Sequence, residues 1–143
     1  MGSDPTLQWR LHLQSPPAEV FRAISTPTGQ MGFWVEWAQR SGNEIDVVFP
    51  DGSREKMTVL EAAIPHRFVV RYFGSITEFD LASDDGGGTD LTIHAHEVPD
   101  DQRAEVAAGW VSVLLALKAA VDYGIDLRNH DAARTWANGY VDN

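Results

Sequence analysis

The stretch GWVSVLLALKAAVDYG, residues 109–124, is the most apolar part of the chain and decides the fold. Pro99 and two acidic residues precede it, as is common where a helix begins, and Gly124 is suited to a helix end. We therefore predict one long helix over about residues 101–123. Its main apolar face has helical spacing and comprises Val106, Trp110, Leu114, Leu117 and Val121.

A membrane is not predicted as the cover for this helix. A span requires about 20 apolar residues, whereas Ser112 interrupts this run and Lys118 ends it. We expect the main face to pack on a sheet instead, with Gly109 leaving room where the helix presses on that sheet.

The helix also has a second, weaker apolar face, which a sheet on the first face cannot cover. This face consists of Ala108, Val111, Leu115 and Ala119. A free apolar patch of this size would be unusual on a monomer. We expect the C-terminal tail, residues 125–143, to pack over it, and a homodimer is the alternative.

The chain before the helix predicts an antiparallel sheet. Residues 7–13 alternate apolar and polar side chains, as a half-buried strand does, and two short helical segments follow, around 17–25 and 26–33. From Phe33 to Glu97, six short alternating segments are separated by turn residues, which indicates an antiparallel meander. The predicted fold is α+β: a curved antiparallel sheet of six to seven strands wrapped around the long C-terminal helix, in one domain over residues 6–143.

Composition restricts the partners. The chain has 11 Lys and Arg residues against 21 Asp and Glu residues, a formal net charge of −10. Phosphate backbones and anionic lipid surfaces bind clustered cations, so we expect neither nucleic acid nor a membrane as a partner. The chain has no cysteine, which excludes disulfides and thiolate metal sites and is consistent with a cytoplasmic protein.

The alternation of the strands places several large side chains towards the helix, where a curved sheet and a straight helix can leave a hollow. A pocket lined by aromatic residues with a few polar groups is typical of a small-molecule site. We predict that a small hydrophobic or amphipathic molecule binds there, and that no cofactor is needed. The predicted lining is Phe21, Trp37, Phe49, Met57, Tyr72, Phe79, Ile93, Trp110 and Leu114.

Neither a metal site nor a catalytic group is predicted. His94 and His96 are spaced to chelate a metal, but they face outward if Ile93 faces inward, and no third ligand is evident. Enzymatic activity stays an alternative, for which Glu36 and Tyr72 are the only candidate acids or bases inside the hollow.

Four stretches of the chain resemble a known family. They are PPAEVFRAIST (16–26), GGGTDLTIHAHEVP (86–99), GWVSVLLALKAAVDYGIDLR (109–128) and RNHDAARTWANGYVDN (128–143). The chain resembles the SRPBCC superfamily of START-related, helix-grip proteins, and within it the bacterial branch named after the C-terminal domain of the heat-shock-protein-90 ATPase activator. The resemblance implies a cavity for lipids, polyketides or other apolar molecules. It also leaves open a cyclase- or hydrolase-like enzyme and a stress-related protein-interaction module.

Overall fold

The computed structural model describes residues 6–143 and contains seven strands and three α-helices within that range. The strands are β1 (Leu7–Leu13), β2 (Trp37–Ser41), β3 (Glu44–Val48), β4 (Arg54–Ala63), β5 (Arg67–Tyr72), β6 (Ser75–Ser83) and β7 (Thr89–Ala95). The α-helices are α1 (Pro17–Ser25), α2 (Pro27–Gln30) and α3 (Arg103–Tyr123), with short 3₁₀ turns at Asp100–Gln102 and Trp136–Asn138.

All seven strands form one antiparallel sheet in the order β1-β7-β6-β5-β4-β3-β2. Strands β2 to β7 follow one another as a meander, and β1 completes the sheet by pairing with β7. The sheet curves around α3, and α1 and α2 follow the first strand, which confirms the predicted α+β helix-grip fold.

Helix α3 lies against the inner face of the sheet as the core helix of the domain. Its residues Trp110, Leu114 and Leu117 are buried, as the helical spacing predicted. The predicted end is also confirmed, because Gly124 has φ 66° and the Ile125 N–H donates to the Ala119 carbonyl at 3.0 Å. By length and composition alone, the stretch Asp100–Tyr123 is long and apolar enough to cross a membrane, since an 18-residue window in it has a mean hydropathy of 1.6, so our prediction that the run is too short was wrong; the core helix of a soluble protein passes the same test.

The second face of α3 is not covered by the tail, contrary to our prediction. Val111 is 48% exposed and Leu115 is 52% exposed. Gly109 lies on an open side of the helix, since a Cβ atom there would meet nothing within 4 Å, so it does not make room for the sheet. The tail packs elsewhere because its buried Arg128 donates hydrogen bonds to the carbonyls of Met31 and Val35, which draws it towards α2.

The segment before β2 also differs from the prediction. Residues 31–36, here called the Trp34 loop, form turns rather than the start of a strand, and Phe33, Trp34 and Val35 are all buried in them. Strand β2 begins only at Trp37 and points Ala38 inward, so Trp37 lies on the outer face and is 44% exposed. The inward placement of Trp37 was therefore wrong, and Trp34 takes the interior position.

Candidate functional site

Aromatic rings meet under α3. The ring of Trp110 lies with its centroid 5.8 Å from Trp9, 5.6 Å from Trp34 and 5.9 Å from Phe79. Trp9 and Phe79 come from the inner face of the sheet, whereas Trp34 comes from its loop. Such tilted and edge-on contacts are the favourable geometries for aromatic pairs, so this cluster stabilises the interior as well as shaping it.

The structure places most of the predicted lining residues in one buried core. The buried ones are Phe21, Met57, Phe79, Ile93, Trp110 and Leu114. Phe49 and Tyr72 are partly buried and pack against that core, whereas Trp37 does not belong to it. Their burial agrees with the alternation of the sequence, and their contact with a ligand stays a prediction.

Aromatic side chains pack into the space where we expected a hollow between sheet and helix. Trp34 inserts its ring among Tyr72, Phe79 and Trp110, with centroids 5.7, 6.0 and 5.6 Å away. Two depressions described within residues 6–143 are open to solvent and lie on the outer face of the sheet, one beside Trp37 and one beside Asp80. Trp34 therefore determines how much room exists under α3.

The aromatic cluster continues to the surface at one end of the sheet. Phe49, Tyr72 and Phe73, here called the aromatic mouth, lie with ring centroids 5.5 to 6.3 Å apart. Phe73 is 59% exposed, and Tyr72 connects it to Trp34. A continuous series of rings thus leads from solvent to the interior.

The turn that presents Phe73 is strained. Tyr72 pairs with Ser75, and the two residues between them have positive φ, 51° for Phe73 and 72° for Gly74. Asn or Gly normally occupies the first such position in a two-residue hairpin turn, because a bulky side chain there clashes with its own backbone. Strain of this kind occurs preferentially at functional sites.

Tyr72 provides the polar group of the mouth. Burial raises the pKa of its hydroxyl well above the usual value, and a hydrogen bond with Thr77 opposes this only in part. The hydroxyl is therefore protonated at neutral pH and can donate a hydrogen bond to a ligand, whereas it is a poor general base.

Glu36, the other candidate acid, lies outside the interior. Its carboxylate oxygens are 2.8 and 3.0 Å from Nδ1 of His130, and Nε2 of the same ring is 2.7 Å from Asp126. Desolvation raises the pKa of Asp126, but hydrogen bonds from Arg128 and His130 outweigh it and lower the pKa to about 2. Glu36 therefore helps to hold the tail instead of facing the aromatic cluster.

Arg128 is the residue of this region that the sequence did not reveal. Its guanidinium donates to Val35 O at 2.8 Å and Met31 O at 2.6 Å, and it also pairs with Asp126 at 3.1 Å. Together with Asp126 and His130 it forms the tail anchor, which holds both ends of the Trp34 loop. No local pattern links position 128 with positions 31 and 35, so only the folded chain reveals this contact.

The outer face of the sheet carries a group of ionisable side chains on β6 and β7. His94 and His96 face outward as predicted, but the pairing of β6 with β7 brings Glu78 beside His94 and Asp80 next to it. The sequence made no third ligand evident beside the two histidines, and the structure brings two carboxylates near one of them, His94. The strand register, which the sequence leaves open, decides which carboxylates are adjacent.

Comparisons with known proteins agree with this architecture. The sequence model of a family described as Activator of Hsp90 ATPase homolog 1-like protein matches residues 14–122. Among solved structures, the chain is similar to protein SSP2350 from Staphylococcus saprophyticus, with a TM-score of 0.75 and 16% identity over 86% of this chain and 96% of that one. A comparison with curated protein sequences gave no significant match.

Two further structures show the same fold. The solution structure of the Aha1 dimer from Colwellia psychrerythraea has a TM-score of 0.75 and 18% identity, over 83% of this chain and 97% of that one. DynU16, a protein of the dynemicin biosynthetic locus, has a TM-score of 0.76 and 19% identity, over 87% of this chain and 49% of that one.

Proposed function

The chain belongs to the family of Activator of Hsp90 ATPase homolog 1-like proteins, and from this premise we propose that it binds a small apolar or amphipathic molecule through the aromatic mouth. The observation that carries the proposal is the unbroken series of rings from exposed Phe73 through Tyr72 to Trp34 and Trp110. The biosynthetic locus that holds DynU16 is consistent with a small-molecule role.

Phe73 supports this proposal because its position is unfavourable for the free protein. A bulky apolar side chain that is exposed and has positive φ destabilises its turn, whereas a ligand packed against the ring would recover apolar burial. The hydroxyl of Tyr72 would fix the polar end of an amphipathic ligand.

Trp34 acts as the inner wall of the site in this proposal. It occupies the space under Trp110, and it lies on a loop rather than on a strand or helix. Entry of a ligand beyond the mouth therefore requires the Trp34 ring to turn aside, which the loop permits while the tail anchor holds its ends. A ligand that moves Trp34 will also change its fluorescence.

The test uses the full chain with 8-anilinonaphthalene-1-sulfonate and a series of fatty acids as probes. We expect one molecule to bind per chain by native mass spectrometry, with a change in tryptophan emission. Phe73→Ala should lower the affinity about tenfold, because truncation of the ring removes roughly 1–2 kcal/mol of apolar contact. Trp34→Leu should instead raise the affinity, because it enlarges the space under Trp110.

Ile64→Ala is the matched control. Ile64 is also an exposed apolar residue in a hairpin connection, but it lies at the opposite end of β5 from Phe73. Its replacement should leave probe binding unchanged. Equal losses in Phe73→Ala and Ile64→Ala would show nonspecific adsorption and contradict the proposal, as would the failure of every probe to bind.

A second candidate function is assembly into a homodimer through the outer face of α3. Val111 and Leu115 are about half exposed there. The relative from Colwellia psychrerythraea was solved as a dimer in solution. Light scattering coupled to gel filtration should give twice the chain mass for the wild type and a monomer for Leu115→Glu, whereas Leu60→Glu, at an exposed site on β4, should stay dimeric. A monomeric wild type would exclude this function.

A further inference from the structure

The outer face of β6 and β7 brings together carboxylates and imidazoles. Glu78 lies directly opposite His94 in the strand register, and Asp80 is two residues further along β6. One carboxylate oxygen from each acid and one ring nitrogen of His94 all lie within 4.8 Å of one another. This set mixes two ligand types that late first-row divalent metals accept.

His94 gives an independent indication of a ligand. Its Nδ1 atom is buried and has no hydrogen-bond partner among residues 6–143. A buried polar atom without a partner destabilises the folded state, and such atoms in native proteins call for an explanation, of which an ion is one. The ring of His96 stacks beside that of His94, with centroids 6.3 Å apart.

Arg67 already contacts one oxygen of each of these two carboxylates. Arg67 donates to Oε1 of Glu78 and to Oδ1 of Asp80, each at 2.7 Å, and to Glu61 at the same distance. Oε2 of Glu78 lies 3.1 Å from Nε2 of His96, and Arg67 contacts Asp80 through Oδ1. Three carboxylates against one guanidinium leave excess negative charge, which attracts a dication.

From these contacts we propose that Glu78, Asp80 and His94 form a binding site for a late first-row divalent cation such as Zn²⁺. Metal–ligand distances of about 2.1 Å in tetrahedral geometry place the ligand atoms about 3.4 Å apart, so the side chains draw together slightly on binding. Water completes the coordination. His96 is a positioning residue: its Nε2 lies 3.1 Å from Oε2 of Glu78 and its Nδ1 lies 3.2 Å from the hydroxyl of Thr6, which orients the carboxylate.

The test titrates the full chain with ZnCl₂ by isothermal calorimetry and with CoCl₂ by visible absorption, in a buffer that does not chelate metals. We expect one ion per chain, and absorption bands that indicate coordinated Co²⁺. His94→Ala should weaken Zn²⁺ binding by about tenfold or more, at least as much as loss of an outer-shell partner does. Asp80→Asn, which keeps the shape of the side chain, should have the same effect and serves alone if His94→Ala does not fold.

His12→Ala is the matched control. His12 lies on the same outer face, with Nδ1 3.0 Å from Asp90 and Nε2 3.5 Å from Asp84, so it is also an imidazole between two carboxylates. Its replacement should leave Zn²⁺ binding unchanged. The proposal is overturned if the wild type binds no ion, if His94→Ala and Asp80→Asn bind as the wild type does, or if His12→Ala loses as much affinity as they do.

Discussion

The two faces of strands β6 and β7 differ completely, although neighbouring residues of the same two strands supply them. Phe79 and Ile93 face inward and are almost fully buried, whereas Glu78 and His94 face outward and lie beside ion pairs. Burial of the inner side chains removes apolar area from water, but partly exposed ion pairs are weakened by solvent. Stability should therefore reside on the inner face and ion binding on the outer one.

The largest expected effect comes from Phe79→Ala. Phe79 is 1% exposed and contacts the rings of Trp34, Phe68 and Trp110. Truncation leaves a cavity that these rigid rings cannot close, so the free energy of unfolding should fall by about 3–5 kcal/mol. Urea denaturation followed by circular dichroism measures the change.

Asp80→Asn is the control for Phe79→Ala, since it alters the next residue on the opposite face. Asp80 pairs with Arg67 at a partly exposed position, so its replacement should change the free energy of unfolding by less than about 1 kcal/mol. Similar losses in the two variants would contradict the division of roles between the faces.

Arg128 tests whether the burial or the charge of a side chain determines how much its replacement lowers the free energy of unfolding. It is a charged residue, yet its side chain is only 5% exposed, and it donates to the carbonyls of Met31 and Val35. Arg128→Met keeps the apolar stem but leaves those carbonyls without donors, so the free energy of unfolding should fall by about 2–3 kcal/mol. Denaturation followed by tryptophan fluorescence also reports on the Trp34 loop.

Arg134→Met provides the comparison within the same tail. Arg134 is exposed and pairs with the nearby Asp131, so its loss should have a small effect, below about 1 kcal/mol. If Arg134→Met destabilised the chain as much as Arg128→Met, burial would not be the reason for the importance of Arg128.

The inner face could be predicted because a strand exposes one set of alternate residues and buries the other. Phe79, Ile93 and Trp110 were placed correctly by spacing alone. The prediction failed at Trp37, because the aromatic-rich segment before β2 turns instead of extending, and Trp34 enters the core. Periodicity describes regular elements and gives no information on a turn.

The outer face and the tail anchor depend on information that local sequence lacks. Glu78 and His94 become neighbours only through the register of β6 with β7, and Arg128 meets Val35 across 93 positions of the chain. Their residue types indicate what they can bind, but not which partner they meet. For this reason the fold was predictable and the groups at its surface were not.

Phe73→Asn should make the protein more stable, whereas replacement of a buried aromatic residue should make it less stable. Phe79 stabilises because it is buried, whereas Phe73 is exposed and has φ 51°. Asn tolerates positive φ, so the variant should gain about 1 kcal/mol in free energy of unfolding. Thermal denaturation measures the gain, and the same variant should bind the hydrophobic probes less well. Loss of stability would mean that Phe73 packs usefully in the free protein.

The smallest expected effect is a pH dependence at the tail anchor, where charged groups are only partly shielded. A hydrogen bond with Asp126 is the main cause of the raised pKa of His130; Glu36 adds to it and desolvation opposes it. Because the folded pKa exceeds the unfolded value of about 6.5, the stabilisation is complete below that pH and is lost as pH rises through the folded pKa. The ion pairs are partly exposed, so the contribution should be about 0.5 kcal/mol or less.

Comparison with His130→Gln isolates this contribution, since the two proteins share every other histidine. The difference in free energy of unfolding should be largest near pH 6 and should shrink towards about pH 8.5. A difference that grew with pH would require a neutral His130 in the folded state, which two nearby carboxylates disfavour. Because the anchor holds the Trp34 loop, a measurable difference would also mean that this loop is held more firmly in mild acid than in mild base.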